Sequence, residues 1–394
     1  MNNDHVRQSA VIVSQYGAFH GQQGAEAAHA LGALQKFFTV RPYGGNIPPD
    51  KISNLEWLDA PARLLNQANK RALHSRWVDE FNFGLRKGTR VLFDQIVSRS
   101  ITKHTKIFHA YSSFQERCWD ACETYGVKKI ADWGIAHPKF LIETWEREAK
   151  TLGLTDSPSI KAQQILAELE QMDIVYVPSR FVKQTFLDFG YKRDHLRINP
   201  YGVDGKLFYP LVSSGAVRER FSIVTAGMLG WRKGTYYLLE AVRRLKQEGI
   251  DCDVYLMGFP DEDFGKKFLS RYQDVVTHVG GVSHAAIVDY YRLADVFVLP
   301  SLAEGQARVV LEAMACATPC IVTANTGCAD VVRDGINGFV VPVRDSEAIA
   351  DRIRLLYRDQ ARLRDMGRKA RQAVEQQTWH RYRQTLMTDY QTFI

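Results

Sequence analysis

Glu304 and Glu312 are separated by seven residues that read as a loop passing into a helix. Ahead of them, the apolar run Val296-Phe297-Val298-Leu299 reads as a buried parallel strand ending at Pro300. A short loop with Gly305 follows. From about Gln306 onward, Val309, Val310, Ala313, Met314 and Ala317 form an apolar helical stripe. Pro319 ends that pattern and Cys320-Ile321-Val322 opens the next strand. A strand, a glycine-bearing loop and a helix start leave free backbone N–H groups and a positive dipole end pointing outward, which together make an anion site. Arg308 is a cation in the first helical turn and opposes that dipole, so it too points to an anionic ligand. Eight helical residues rise about 12 Å. That span suits a diphosphate ligand with a sugar near one carboxylate and ribose hydroxyls near the other. From spacing alone, two solvated carboxylates are the simpler reading.

Two further groups could serve such a ligand. Arg232 and Lys233 lie between the strand pattern 221–226 and the helix pattern 235–247. Adjacent cations at a strand-to-helix junction suit a diphosphate, since fork geometry and point charge combine there; surface solvation is the plainer alternative. His137 precedes Pro138 shortly after a strand pattern at 128–131, where the residues alone support a capping histidine. The D-x-D runs Asp251-Cys252-Asp253 and Asp261-Glu262-Asp263 resemble metal-ligand spacing. The first, however, leads into a strand, the end away from a parallel-sheet cleft, and the second lies in a polar loop that reads as a solvated turn. No metal and no other cofactor is expected.

These groups need a scaffold. Strand and helix patterns alternate through two successive units, which implies an α/β chain with two doubly wound parallel sheets facing across a cleft. Residues 1–205 form the first domain and 206–378 the second, with the helix 379–394 expected to cross back onto the first. A linker is expected over 205–216, where Pro210, Ser213, Ser214 and Gly215 cluster. In the first domain Val11–Ser14 reads as a strand and a helix is expected from Ala25 to Lys36. Gly17, Gly21 and Gly24 do not match a dinucleotide fingerprint. Residues 51–103 read mostly as helix, interrupted at Pro61 and at Gly84 to Gly88.

Composition bounds the class. At 394 residues two domains are expected, and 45% hydrophobic content suits packed cores. The polar N-terminus carries no signal-like apolar stretch, and no run approaches 18 apolar residues; a cytoplasmic protein is expected. Six cysteines lack C-x2-C or zinc-like spacing, so free buried thiols are expected. The formal net charge of +7 is concentrated. Between Arg63 and Lys106 there are ten Lys/Arg against three acids, a patch suited to an anionic membrane surface, a phosphate-bearing acceptor or plain solvation. No nucleic-acid motif accompanies it, so no nucleic-acid partner is expected.

The run 295–301 with Glu304-Gly305, Leu311–Ala315, Pro319 and 334–339 resembles the donor-site signature of glycosyltransferase family four, retaining enzymes of the GT-B fold. The family's aromatic and glycine after Glu-Gly are replaced here by Gln306 and Ala307, and Arg308 replaces an apolar residue. The resemblance implies a retaining, hexosyltransferase-type enzyme acting in polysaccharide biosynthesis. Its donor would be a nucleotide diphosphate-sugar and its acceptor a glycan or lipid-linked hydroxyl; docking at the inner face of the membrane is the expectation that the basic stretch 63–106 adds. The resemblance implies that Glu304 orients the sugar, Glu312 the ribose, and Arg232 with Lys233 the leaving diphosphate. Met228 stands where the family has an arginine. His137 would face the donor sugar, Gly24 would pass close to the donor, and Val282 in the loop 281–283 would meet the base beside Gly258. A GT-B epimerase, a phosphorylase or a non-catalytic sugar-nucleotide-binding protein would share these features.

Overall fold

Central strands buried on both faces, flanked by more exposed edge strands, build each half of the molecule. The computed structural model describes residues 9–16, 20–68, 76–111, 115–155, 162–211 and 220–394. The first sheet contains β1 (Val11–Gln15), β2 (Leu34–Thr39), β3 (Ile52–Asn54), β4 (Ile107–Ala110), β5 (Lys128–Asp132), β6 (Ile174–Val177) and β7 (Leu196–Ile198). Their spatial order is β3-β2-β1-β4-β5-β6-β7 and every pairing is parallel. The second contains β8 (Phe221–Ala226), β9 (Cys252–Met257), β10 (Thr277–Gly280), β11 (Val296–Leu299), β12 (Cys320–Thr323) and β13 (Gly338–Val341), in the order β10-β9-β8-β11-β12-β13, again all parallel. Chain direction along the sheet reverses between β1 and β4 and between β8 and β11. Those switch points open crevices at the carboxyl ends of the strands.

The last helix, Trp379–Gln391, starts after the second sheet but packs on the first domain. Its attachment is polar as well as apolar. Tyr382 donates to Asp132 at the end of β5, Tyr390 meets His109 Nδ1 at 2.6 Å, and Arg383 reaches Glu26 at 2.9 Å. Burial pushes the His109 imidazole down to about 3, so that hydrogen bond is made by a neutral ring. All six cysteines are free and buried.

Three expectations change. The first helix runs Gly21–Ala30 rather than Ala25 to Lys36, because Gly32 adopts φ 71° and turns the chain into β2. Residues 51–103 hold β3 and two helices, Glu56–Ala68 and Arg76–Ser98, and neither Pro61 nor Gly84 to Gly88 breaks them. Pro61 forgoes one ladder hydrogen bond early in its helix. Asp261 is no solvated turn residue: its carboxylate accepts from Phe264 N–H at 2.8 Å and caps the helix Glu262–Lys267. Gly17, Lys70, Arg71, residues 212–216 of the linker, and the side chains of Trp77, Phe81 and Phe83 lie outside the described residues.

Candidate active site

The two crevices meet in one cleft of about 650 Å³. Its walls are supplied by residues that follow strands. His20 comes after β1, Tyr111 after β4, Asp132 to Ile135 at the end of β5 and Tyr201 after β7; Lys233 comes after β8, Val282 and His284 after β10, and Glu304 with Gln306 to Val309 and Glu312 after β11. An apolar extension between two helices of the first domain adds Trp119, Ile165 and Met172.

Glu304 is fixed by backbone on both sides. Its N–H donates to Asn325 O at 3.1 Å and its carbonyl accepts from Gly327 N–H at 3.2 Å. The carboxylate Oε2 accepts from Arg232 Nη1 at 2.7 Å and pairs with Lys233. Burial raises the cost of its charge, but Lys233 and Arg232 outweigh that effect and hold the acid at about 2. The two cations thus share one carboxylate, and the cluster keeps a net positive charge. An incoming diphosphate would compete for them.

Glu312, one turn into the helix Arg308–Ala315, is buried and held by His284 Nε2 at 3.2 Å and Tyr291 Oη at 3.4 Å. That hydrogen bond to Glu312 raises the His284 imidazole above its ordinary range. The helix begins at Arg308, two residues later than the apolar stripe implies, with Ala307 at the cap. Gln306 is buried and its Oε1 accepts the Tyr201 N–H at 2.6 Å, which ties the helix start to the first domain. Arg308 is exposed at the cleft.

Gly305 sits where the domains touch. A Cβ there would lie 1.9 Å from the Gly134 carbonyl oxygen, and Ser179 Oγ donates to the Gly305 carbonyl at 3.0 Å. Gly258, at φ 130°, abuts the backbone of Gly227, where a Cβ would meet its oxygen at 1.7 Å. Its work is close packing of two loops, and Val282 nearby does line the cleft.

Two site expectations fail. His137 is buried away from the cleft; its ring accepts the Lys139 N–H at 3.3 Å and stacks on Phe189 with centroids 4.6 Å apart. Pro138 at the first helical position makes it a capping residue, and burial lowers its imidazole to about 4. Gly24 lies inside the first helix rather than in the loop, and its missing Cβ admits the Tyr111 ring, whose Oη would be 2.6 Å away. The histidine that does reach the cleft from the first domain is His20, with Nε2 3.2 Å from Asp132 Oδ1 and 3.1 Å from Tyr382 Oη. Nothing in its local sequence marks it, because Asp132 is 112 residues away and Tyr382 362 away along the chain. Asp132, which closes β5, falls just past the strand expected over 128–131.

Residues 212–373 match the family model described as "Glycosyl transferases group 1". A D-inositol 3-phosphate glycosyltransferase of Arthrobacter sp. (strain FB24) is 29% identical over 269 residues, covering 63% of each chain. The capsular polysaccharide biosynthesis glycosyltransferase CapM of Staphylococcus aureus is 28% identical over 165 residues, 40% of this chain and 42% of CapM. Sucrose-phosphate synthase from Thermosynechococcus elongatus superposes with a TM-score of 0.70 over 98% of this chain and 96% of its own, at 20% identity. Anabaena HepE in complex with UDP-glucose gives 0.67 over 97% and 99%, at 15% identity. At those identities the structures share the two-domain GT-B fold. The matched stretch spans less than two thirds of the length of the inositol-phosphate relatives.

Proposed function

We propose that this chain, whose residues 212–373 match the glycosyl transferases group 1, moves a sugar from a nucleotide diphosphate-sugar to a hydroxyl of a glycan or lipid-linked acceptor, with retention at the anomeric carbon. The observation that carries the reading is Glu304, ionised and paired with Arg232 and Lys233 in the wall of the cleft, eight residues before the buried Glu312. Lys233, Arg232 and the start of the helix Arg308–Ala315 receive the diphosphate. Glu304 then orients the sugar and Glu312 the ribose hydroxyls. In a front-face displacement the bond from C1 to the diphosphate oxygen breaks and a bond from C1 to the acceptor oxygen forms on the same face. The acceptor proton passes to the departing phosphate oxygen. Support comes from the solved HepE complexes with UDP and UDP-glucose, which share the fold.

A thermal-shift screen of nucleoside diphosphates and sugar nucleotides tests the reading. A donor at one hundred times its Kd raises stability by about 2.7 kcal/mol. Stabilisation by no nucleotide would end the proposal. Binding without transfer to any acceptor would leave a sensor, whereas release of free sugar or dependence on inorganic phosphate would indicate an epimerase or a phosphorylase.

The protein would work at the cytoplasmic face of a membrane, docked through the basic stretch from Arg63 to Lys106; no helix among the described residues is long and apolar enough to cross one. Each basic residue near an anionic surface contributes on the order of 1 kcal/mol. Co-sedimentation with anionic vesicles should fall as salt rises, and equal binding to neutral vesicles would remove the idea.

A further inference from the structure

A second, smaller cavity of about 250 Å³ adjoins the cleft, and Arg308 lines both. It forms at the carboxyl ends of β1 and β2, where Gln15 and Thr39 are the last strand residues, with Arg41 and Tyr43 just beyond. Two guanidinium groups therefore face one small space from opposite domains. No aspartate or glutamate lines it among the described residues.

Neither arginine is used up by its surroundings. Arg41 Nη2 stands 3.7 Å from Asp59, whose carboxylate also serves Arg63 at 3.4 Å, while Arg41 Nε is buried without a hydrogen-bond partner. Among the described residues Arg308 pairs with no carboxylate, and Glu312, one turn along its helix, is engaged by His284 and Tyr291. The hydroxyls of Thr39 and Tyr43 are occupied locally, by Arg41 backbone and by Glu26 with Ile47. Besides the amides of Gln15 and Gln22, the polar groups facing the space are thus cationic and fork-shaped, which matches a phosphate. The volume lies below the 300–1,000 Å³ usual for a whole ligand, so the cavity suits a substituent of something larger seated in the adjoining cleft.

We propose that this cavity is an anion subsite that holds a phosphate carried by the acceptor, gripped by Arg41 from the first domain and Arg308 from the second. The proposal rests on the glycosyltransferase reading and adds the acceptor's chemical class. Because each domain contributes one arginine, a phosphorylated acceptor favours the closed arrangement in which its hydroxyl meets the donor sugar.

The test is titration of inorganic phosphate, followed by ³¹P NMR, into the full chain with and without saturating UDP. Phosphate should bind with UDP in place, and Arg41→Gln and Arg308→Gln should each weaken it about 10- to 100-fold, the loss of a charge-assisted bidentate contact. Arg41→Lys, which keeps the charge and loses the fork, should fall between. UDP affinity unchanged in Arg41→Gln shows that this variant is folded. A cyclitol phosphate should displace the bound ion and the same cyclitol without phosphate should not. Phosphate affinity untouched by Arg41→Gln, or phosphate that binds only when UDP is absent, would overturn the subsite. Failure of the cyclitol phosphate to compete would reduce it to a site for the free ion. Failure of UDP and every other nucleoside diphosphate to bind would instead count against the glycosyltransferase reading, and the titration without UDP would still read out the cavity.

Discussion

Glu304 Oε2 lies 2.7 Å from Arg232 Nη1, so the carboxylate that would orient the donor sugar also neutralises a cation that would meet its diphosphate. Donor binding must therefore exchange partners: as the phosphates take Arg232 and Lys233, the carboxylate is released toward the sugar hydroxyls. The exchange makes Glu304 more important to turnover than to affinity. Glu304→Gln should lower kcat strongly while donor Kd changes little.

The same pair sets an acid limit on stability. The folded pKa of Glu304, about 2, lies below the ordinary 4.5. Its contribution is present in full above about pH 4.5 and is lost as pH falls through about 2. Urea midpoints measured between those values should decline more steeply for the native chain than for Glu304→Gln. Parallel curves would mean that the ion pair does not shift the acid as described.

Glu312 makes a separable prediction, because ribose is present in donor and product alike. Glu312→Ala should weaken the nucleotide-sugar and the free nucleoside diphosphate by a similar factor, about 10- to 100-fold for a lost charged hydrogen bond. The His284 imidazole, raised by Glu312, should titrate lower in the variant by NMR. An unchanged His284 titration would show that the two side chains do not interact.

Gly305 tests the contact between domains. An added Cβ would sit 1.9 Å from a backbone oxygen, that of Gly134, which cannot rotate away. Gly305→Ala should hold the domains apart and lower kcat by about 100-fold, the effect of a misplacement on the order of 1 Å. The thermal transition should stay near that of the native chain, since each domain keeps its own sheet. Full activity in this variant would show that closure at Gly305 is not required.

Much of the scaffold is legible in the sequence. β8 and β11 are largely apolar and buried on both faces, and the helix Thr235–Gln247 is strongly periodic with one buried face, so neither kind leaves much ambiguity. The stretch 31–39 misleads because its apolar residues fit a helix as well as a strand, and only the left-handed Gly32 decides. Of the expected site residues, Glu304, Lys233 and Glu312 line one cleft and Arg232 pairs with Glu304, a grouping the sequence could suggest because they fall on two strand-to-helix stretches. His20 and Asp132 are not so grouped: their pairing depends on two loops from distant parts of one sheet and on a tyrosine from the final helix. His137 failed for a related reason. A histidine before a proline satisfies a helix start as readily as a ligand, and local hydrogen bonding took it.

The final prediction is that turnover needs no divalent metal. Charge growing on the leaving diphosphate must be neutralised, and a bound Mg²⁺ or Mn²⁺ would require carboxylates converging on it. Of the cleft carboxylates, Glu304 pairs with Arg232 and Lys233, Glu312 with His284 and Tyr291, and Asp132 with His20 and Tyr382, while Glu168 lies on the helix Ala162–Glu170 beside the apolar extension. Of the D-x-D residues, Asp251 and Asp253 pair with Arg220 where β9 begins, at the sheet edge away from the cleft, and Asp261 caps a helix. Fixed positive groups, by contrast, stand where the diphosphate would lie. Lys233 in the cleft wall, Arg232 behind it on Glu304, and the backbone N–H groups opening the helix Arg308–Ala315 could carry the developing charge without an ion. Turnover should persist in excess EDTA. Lys233→Ala should cost about 2–4 kcal/mol of transition-state stabilisation, read as a fall in kcat of roughly 10²–10³. Activity abolished by EDTA and restored by Mn²⁺ would overturn this mechanism and turn attention to Asp261 and its neighbours.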